Sequence, residues 1–143
     1  MAMQLPDDFK EFLKLLNSAE VKYLLVGGFA VTLHGHPRTT GDMDIWVPTN
    51  KDTAAKLLGV LEQFGFGNAG ATAELLQTPS KVIRMGMPPL RIELLTGISG
   101  VKFEDCWERK DTLEIDGITI QMISKQDLLV NKKAAGRPQD IAD

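Results

Sequence analysis

The chain lacks most of what would commit it to an oxidising compartment, a membrane or a polyanion. Its 143 residues contain one cysteine, Cys106. That excludes an intrachain disulfide and a zinc site made of thiolates alone, so Cys106 reads as a small packing residue. Aromatic residues are scarce, at 6%, which gives little support to a groove that stacks single-stranded bases. Positive charge is not in excess: 16 Lys and Arg stand against 19 Asp and Glu, for a net charge of −3. Nucleic acid is therefore not expected as a stable partner, although net charge does not exclude a basic cleft. No apolar run approaches the length that spans a bilayer, and MAMQLPDDFKEF has no basic segment followed by an apolar core. The default expectation is a cytoplasmic protein with no membrane partner.

What is present fits one globular domain over residues 1–143. The length suits a single core, and 43% hydrophobic residues is ordinary for a folded chain. No repeat, low-complexity segment or linker interrupts it. Phe9, Phe12, Leu13 and Leu16 recur at helical spacing and predict a helix over 7–18, with Asp7 and Asp8 suiting its N-terminal dipole. Tyr23 to Val26 is a short buried strand closed by glycines, and FAVTLHG a short helix stopped by Gly35 and Pro37. MDIWV is a second strand. Asn50 to Phe64 is an amphipathic helix that Thr49 or Asn50 can cap. Lys81 to Met85 and Leu90 to Leu95 follow as strands. Leu113–Ile115 and Ile118–Met122 flank Asp116-Gly117, a strong hairpin signal. Ser124 to Asp127 resembles a capping box with Asp in the usual Glu place, and opens a helix to about Ala134, ended by Gly136. RPQDIAD could begin a further helix, but the chain stops there, as a C-terminally truncated chain or a short natural form would. The order predicts an α/β (α+β) domain, one mixed sheet flanked by helices.

The segment GGFAVTLHGHPRTTGDMDIWV places Asp42 and Asp44 inside an otherwise hydrophobic strand. Alternation puts both on one face, about 6.5 Å apart, with Met43 and Ile45 turned to the core. Two carboxylates on one face repel unless a cation lies between them. Oxygen donors suit Mg²⁺ or Mn²⁺, and two such ions can clamp a phosphoryl transfer. The plainer reading is a pair of solvated aspartates at the mouth of a strand. Gly27 and Gly28, between a strand and a helix, allow backbone amides to approach a phosphate. Glu93 interrupts the aliphatic run LRIELL. If that strand lies beside MDIWV, Glu93 completes a three-carboxylate site as metal ligand or as base; otherwise Arg91 and Glu93 share a solvated face.

The combination of Gly27-Gly28, Asp42-Met43-Asp44 and a later acidic strand residue resembles the nucleotidyltransferase superfamily with the DNA polymerase β-like fold. With Arg38 and Thr39 before the aspartates, it is similar to the small prokaryotic nucleotidyltransferases related to the AbiEii toxins and the minimal nucleotidyltransferases. NKKAAGRPQDIAD is similar to the segment closing that family's domain. The resemblance implies transfer of a nucleoside monophosphate from an NTP to a hydroxyl on a protein, RNA or small molecule, with release of pyrophosphate. It implies Asp42, Asp44 and Glu93 as the metal-binding, catalytic carboxylates, for Mg²⁺ or Mn²⁺. It implies Gly27 and Gly28 as triphosphate contacts, with Arg38, Thr39 and Lys132 as further substrate-binding residues. The family's third acid is usually Asp; Glu93 is longer by one methylene. The alternative is a non-catalytic nucleotide- or partner-binding module, such as a toxin–antitoxin component with a protein partner.

Other signals carry less. Gly65 to Gly70 matches G-x-G-x-x-G, but it follows a helix and leads into loop, the wrong context for a dinucleotide fingerprint. His34 and His36 read as helix-end or cleft-rim residues rather than a metal pair. Trp46 and Trp107 read as core or rim.

Overall fold

The computed structural model describes residues 5–35, 41–65, 71–87 and 90–136. Expectations for Arg38 and Thr39, for the glycine-rich turn after Gly65 and for the tail after Gly136 lie outside the described residues. The elements are α1 (Asp7–Ser18), β1 (Leu24–Val26), α2 (Gly27–Leu33), β2 (Asp42–Trp46), α3 (Lys51–Phe64), α4 (Ala73–Leu76), β3 (Val82–Met87), β4 (Leu90–Leu95), α5 (Phe103–Glu108), β5 (Asp111–Ile115), β6 (Ile118–Met122) and α6 (Lys125–Ala135). The strands form one mixed sheet in the order β3-β4-β2-β1-β6-β5. β2 runs parallel to β4 and antiparallel to β1, and β1 runs parallel to β6.

Ladder register separates the two faces of this sheet, because directly paired residues point the same way. Leu25 pairs with Ile45 and with Met122, Ile45 with Leu94, and Leu94 with Ile83. All of these are buried, as are Met43, Met85, Ile92 and Ile120. This apolar face, together with Phe9, Phe12, Leu13 and Leu16 of α1 and Ala54, Leu57 and Leu61 of α3, makes the core. Each such large side chain contributes about 1.5–3 kcal/mol by leaving water.

Local chemistry explains the element ends. Asn50 caps α3 by accepting from the Thr53 amide at 2.7 Å, and Gly65 closes it in the left-handed region. Asp116 and Gly117 both have positive φ, 53° and 78°, the requirement of a two-residue primed turn. At α6, only half of the expected capping box forms. Ser124 accepts from the Asp127 amide, but the Asp127 carboxylate is not committed to the Ser124 backbone amide. It accepts instead from Arg109 Nε and Nη2, at 3.0 and 2.9 Å. This pair ties the end of α5 to the start of α6. The Arg109 guanidinium holds the Asp127 carboxyl below the usual carboxylate range. Cys106 is fully buried in the core, as a packing residue would be; burial, then the neighbouring Asp127 charge, pushes its thiol up to about 12.

A consequence for acid stability follows. A carboxyl with a depressed folded pKa stabilises the fold above its unfolded value, and that stabilisation is lost as pH falls through the folded value. Asp127→Asn is expected to lower stability by about 1–3 kcal/mol at pH 7. Chemical denaturation at several pH values checks this: the gap between wild type and variant should narrow below about pH 4. A gap independent of pH would show that the ion pair does not carry the effect.

Candidate functional site

The second face of the sheet is divided. At one end, Trp46 packs edge-on against Phe103 of α5, ring centroids 5.1 Å apart, and Phe103 stacks on Trp107. At the other end, the same face of β2, β4 and β3 carries charge. The register places Asp44 beside Glu93, and Glu93 beside Arg84. One step along, Asp42 lies beside Arg91. The condition set for Glu93 holds: β4 lies next to β2, and Asp42, Asp44 and Glu93 share one face, with Asp44 and Glu93 on strands about 4.8 Å apart.

Asp44 is seated against the first turn of α2. Gly27 has φ +71°, and a side chain there would overlap Asp44 Oδ2. Glycine at 27 thus answers two demands, a left-handed backbone and the close approach of a carboxylate. Gly28 follows as the second residue of α2, whose N-cap, Val26, has no side-chain acceptor for the first amides. His34 caps the far end of α2. Its Nε2 lies 2.8 Å from the Ile123 carbonyl oxygen, a distance at which that nitrogen donates. This is the helix-end role expected of it.

The carboxylates share a face but do not converge. Arg84 Nε donates to Glu93 Oε2 at 2.7 Å. Arg91 Nε and Nη2 donate to the two oxygens of Asp42 at 3.3 and 3.4 Å. Among the described residues, no group of three or more His, Cys, Asp and Glu side chains is gathered closely enough to hold a metal ion. As donors, the three carboxylates suit a hard divalent cation, with no thiolate or imidazole among them. In placement, two of them are held by guanidinium groups. Lys132 of α6 is only 8% exposed and is engaged by a neighbouring group, whereas Lys133 is exposed. Lys132 is therefore inside the structure rather than on a solvated helix face.

Sequence alone assigned no role to Arg84, and placed Arg91 with Glu93 on a solvated face only as the alternative to a carboxylate site. Period-2 alternation in VIRMGM marks Arg84 as a lone cation on one face of β3, but only the β3–β4 register shows that it meets Glu93.

Comparison with known proteins supports the fold. Residues 6–143 match a sequence family described as "Nucleotidyl transferase of unknown function (DUF2204)". A solved structure, described as a "putative nucleotidyltransferase (TM1012) from Thermotoga maritima", superposes with a TM-score of 0.61 at 14% identity. The match covers 94% of this chain and 86% of that one. No curated protein sequence matches this chain. No helix among the described residues is long and apolar enough to cross a membrane.

Proposed function

The chain belongs to this family of nucleotidyl transferases of unknown function, and we propose that it transfers a nucleoside monophosphate from an NTP to a hydroxyl acceptor at the acidic end of β2 and β4. The observation that carries the reading is the placement of Asp42, Asp44 and Glu93 on one face of the sheet, with Asp44 against Gly27. In the reaction, the acceptor oxygen bonds to the α-phosphorus, and the bond from that phosphorus to the bridging oxygen breaks. Pyrophosphate leaves with the bond's electron pair, and the hydroxyl proton passes to a carboxylate or to water. Asp42, Asp44 and Glu93 are the residues that would hold Mg²⁺ or Mn²⁺, which when bound supplies charge neutralisation at the phosphates. Asp44, seated against Gly27, is assigned to the centre. Glu93 is the third ligand or the group that accepts the acceptor's proton. The Gly27 and Gly28 backbone, Arg38, Thr39 and Lys132 are assigned to the triphosphate. The acceptor is a protein, an RNA or a small molecule, and the cytoplasm, where NTP and Mg²⁺ are abundant, is the proposed location.

A second reading has its own support. Glu93 stands where the resemblance leads one to expect Asp, and both it and Asp42 are held by arginines. A non-catalytic nucleotide- or partner-binding module, such as one half of a toxin–antitoxin pair, needs no convergent carboxylates.

Calorimetric titration with each of the four NTPs, with and without Mg²⁺, separates the two. Binding that requires both Mg²⁺ and the aspartates, and is lost in Asp42→Ala/Asp44→Ala, is the outcome expected of a transferase. Nucleotide binding indifferent to metal and to both aspartates would instead favour the module.

A further inference from the structure

We propose that Arg84 and Arg91 are exchangeable counterions of the carboxylate face, holding Glu93 and Asp42 while no divalent ion is bound and turning to the nucleotide's phosphates once the carboxylates take the ion. The inference rests on the transferase reading and goes beyond it, because it assigns a role to two side chains outside the acidic set.

The arrangement is set by register. Across the sheet, one row reads Asp44, Glu93, Arg84, and the next reads Asp42, Arg91. All five side chains share one face of the sheet. Three carboxylates against two guanidinium groups leave this face near neutrality, which lets the acids lie together without a metal.

The length of one pair and the exposure of the arginine in the other favour exchange. The Arg91 contacts, at 3.3 and 3.4 Å, are longer than the 2.7–2.9 Å usual for charge-assisted bonds. Arg91 and Asp42 are 35% and 36% exposed, so water already competes for both. Arg84 is 62% exposed and Glu93 16%. The acid is fixed at the face, while most of the arginine stands in solvent. The half-exposed Arg91–Asp42 pair holds weakly, the Arg84–Glu93 bond at 2.7 Å is opposed by solvent on the arginine side, and a divalent ion on several carboxylates holds more strongly than either. Once released, both guanidinium groups remain anchored within a residue or two of the acids. Their planar donor sets match phosphate oxygens.

A purely structural role predicts otherwise. Cross-strand ion pairs that only stabilise the β3–β4 ladder would lower the melting temperature when broken and leave ligand affinities alone. A general field effect would act alike for any nearby cation.

The test uses the full chain and two probes, Mn²⁺ alone and Mn²⁺ with inorganic tripolyphosphate, which carries the phosphates without a base. Arg84→Gln and Arg91→Gln are compared with wild type and with Lys81→Gln, an exposed cation just before β3. Affinities are read by calorimetry and folding by thermal melting. In both arginine variants, Mn²⁺ alone is expected to bind about 3- to 10-fold more tightly. Metal-dependent tripolyphosphate binding should weaken by about tenfold. Lys81→Gln should change neither by more than about twofold. In the wild type, the arginine Nε–Hε resonances should shift on addition of Mg²⁺. Equal changes in Lys81→Gln, changes of one sign in both affinities, or unshifted arginine resonances would each overturn the proposal. If the wild type binds Mn²⁺ through Asp42 and Asp44 but the arginine variants match it with both probes, the exchange fails and the transferase reading stands. If the wild type binds no Mn²⁺, both fail.

Discussion

Asp44→Ala is expected to reduce Mg²⁺-dependent nucleotidyl transfer by at least 10²–10³-fold, roughly the effect of deleting one preorganised electrostatic element from an active site. The protein should still fold. Asp44 pairs with Glu93 across the sheet and packs against Gly27 at the start of α2, so its removal leaves the apolar face on the other side of the sheet intact. A cooperative melt, together with lost metal affinity, is the expected signature. Asp44→Asn sharpens the test. It keeps the shape and the seat over Gly27 but removes the charge. If Asp44→Asn bound Mn²⁺ as tightly as wild type, the carboxylate would not be a ligand and the site assigned to β2 would be wrong.

Gly27→Ala should damage stability and site together. At φ +71° an alanine is strained, and its methyl group would overlap Asp44 Oδ2. Strain of this sort costs about 1–3 kcal/mol, and the overlap is relieved only by moving the carboxylate or the start of α2. The variant is therefore expected to unfold at lower denaturant and to lose metal-dependent NTP binding. Gly59→Ala is the contrasting case. Gly59 lies within α3, where an added methyl meets nothing within 4 Å. Helix propensity then dominates, and stability should rise by about 0.5–1 kcal/mol with binding untouched. Denaturant titration of the two variants side by side gives opposite signs if this account of the glycines holds. A Gly27→Ala protein as stable as wild type would mean that α2 and Asp44 are not locked together.

The longer elements could be read from residues alone because their signals are local. The apolar stripe of α1 and the Asn50 cap and Gly65 stop of α3 need no partner to be recognised. Leu90–Leu95 and the Asp116-Gly117 hairpin depend on alternation and turn chemistry within one short stretch. Two helices escaped. α4 and α5 span four and six residues, too few for a 3.6-residue period to show. α5 is held mainly by tertiary contacts, with Phe103 against Trp46 and Cys106 buried. α4 left a faint trace in its capping threonine, Thr72, which accepts from the Leu75 amide.

The candidate site divides along the same line. Sequence by itself determined that Asp42 and Asp44 share a face of a strand, since alternation is a property of the backbone. It also marked the glycine pair, and it made Glu93 conspicuous among aliphatic neighbours. Only the tertiary structure decided that Glu93 stands beside Asp44, because the pairing of β2 with β4 joins segments some fifty residues apart in sequence. The same pairing, with β3 added at the edge, brought Arg84 to Glu93 and Arg91 to Asp42. Charge on a strand is visible in one dimension. Which opposite charge it meets is set by register across the sheet, and register is fixed by burying the apolar face on the other side.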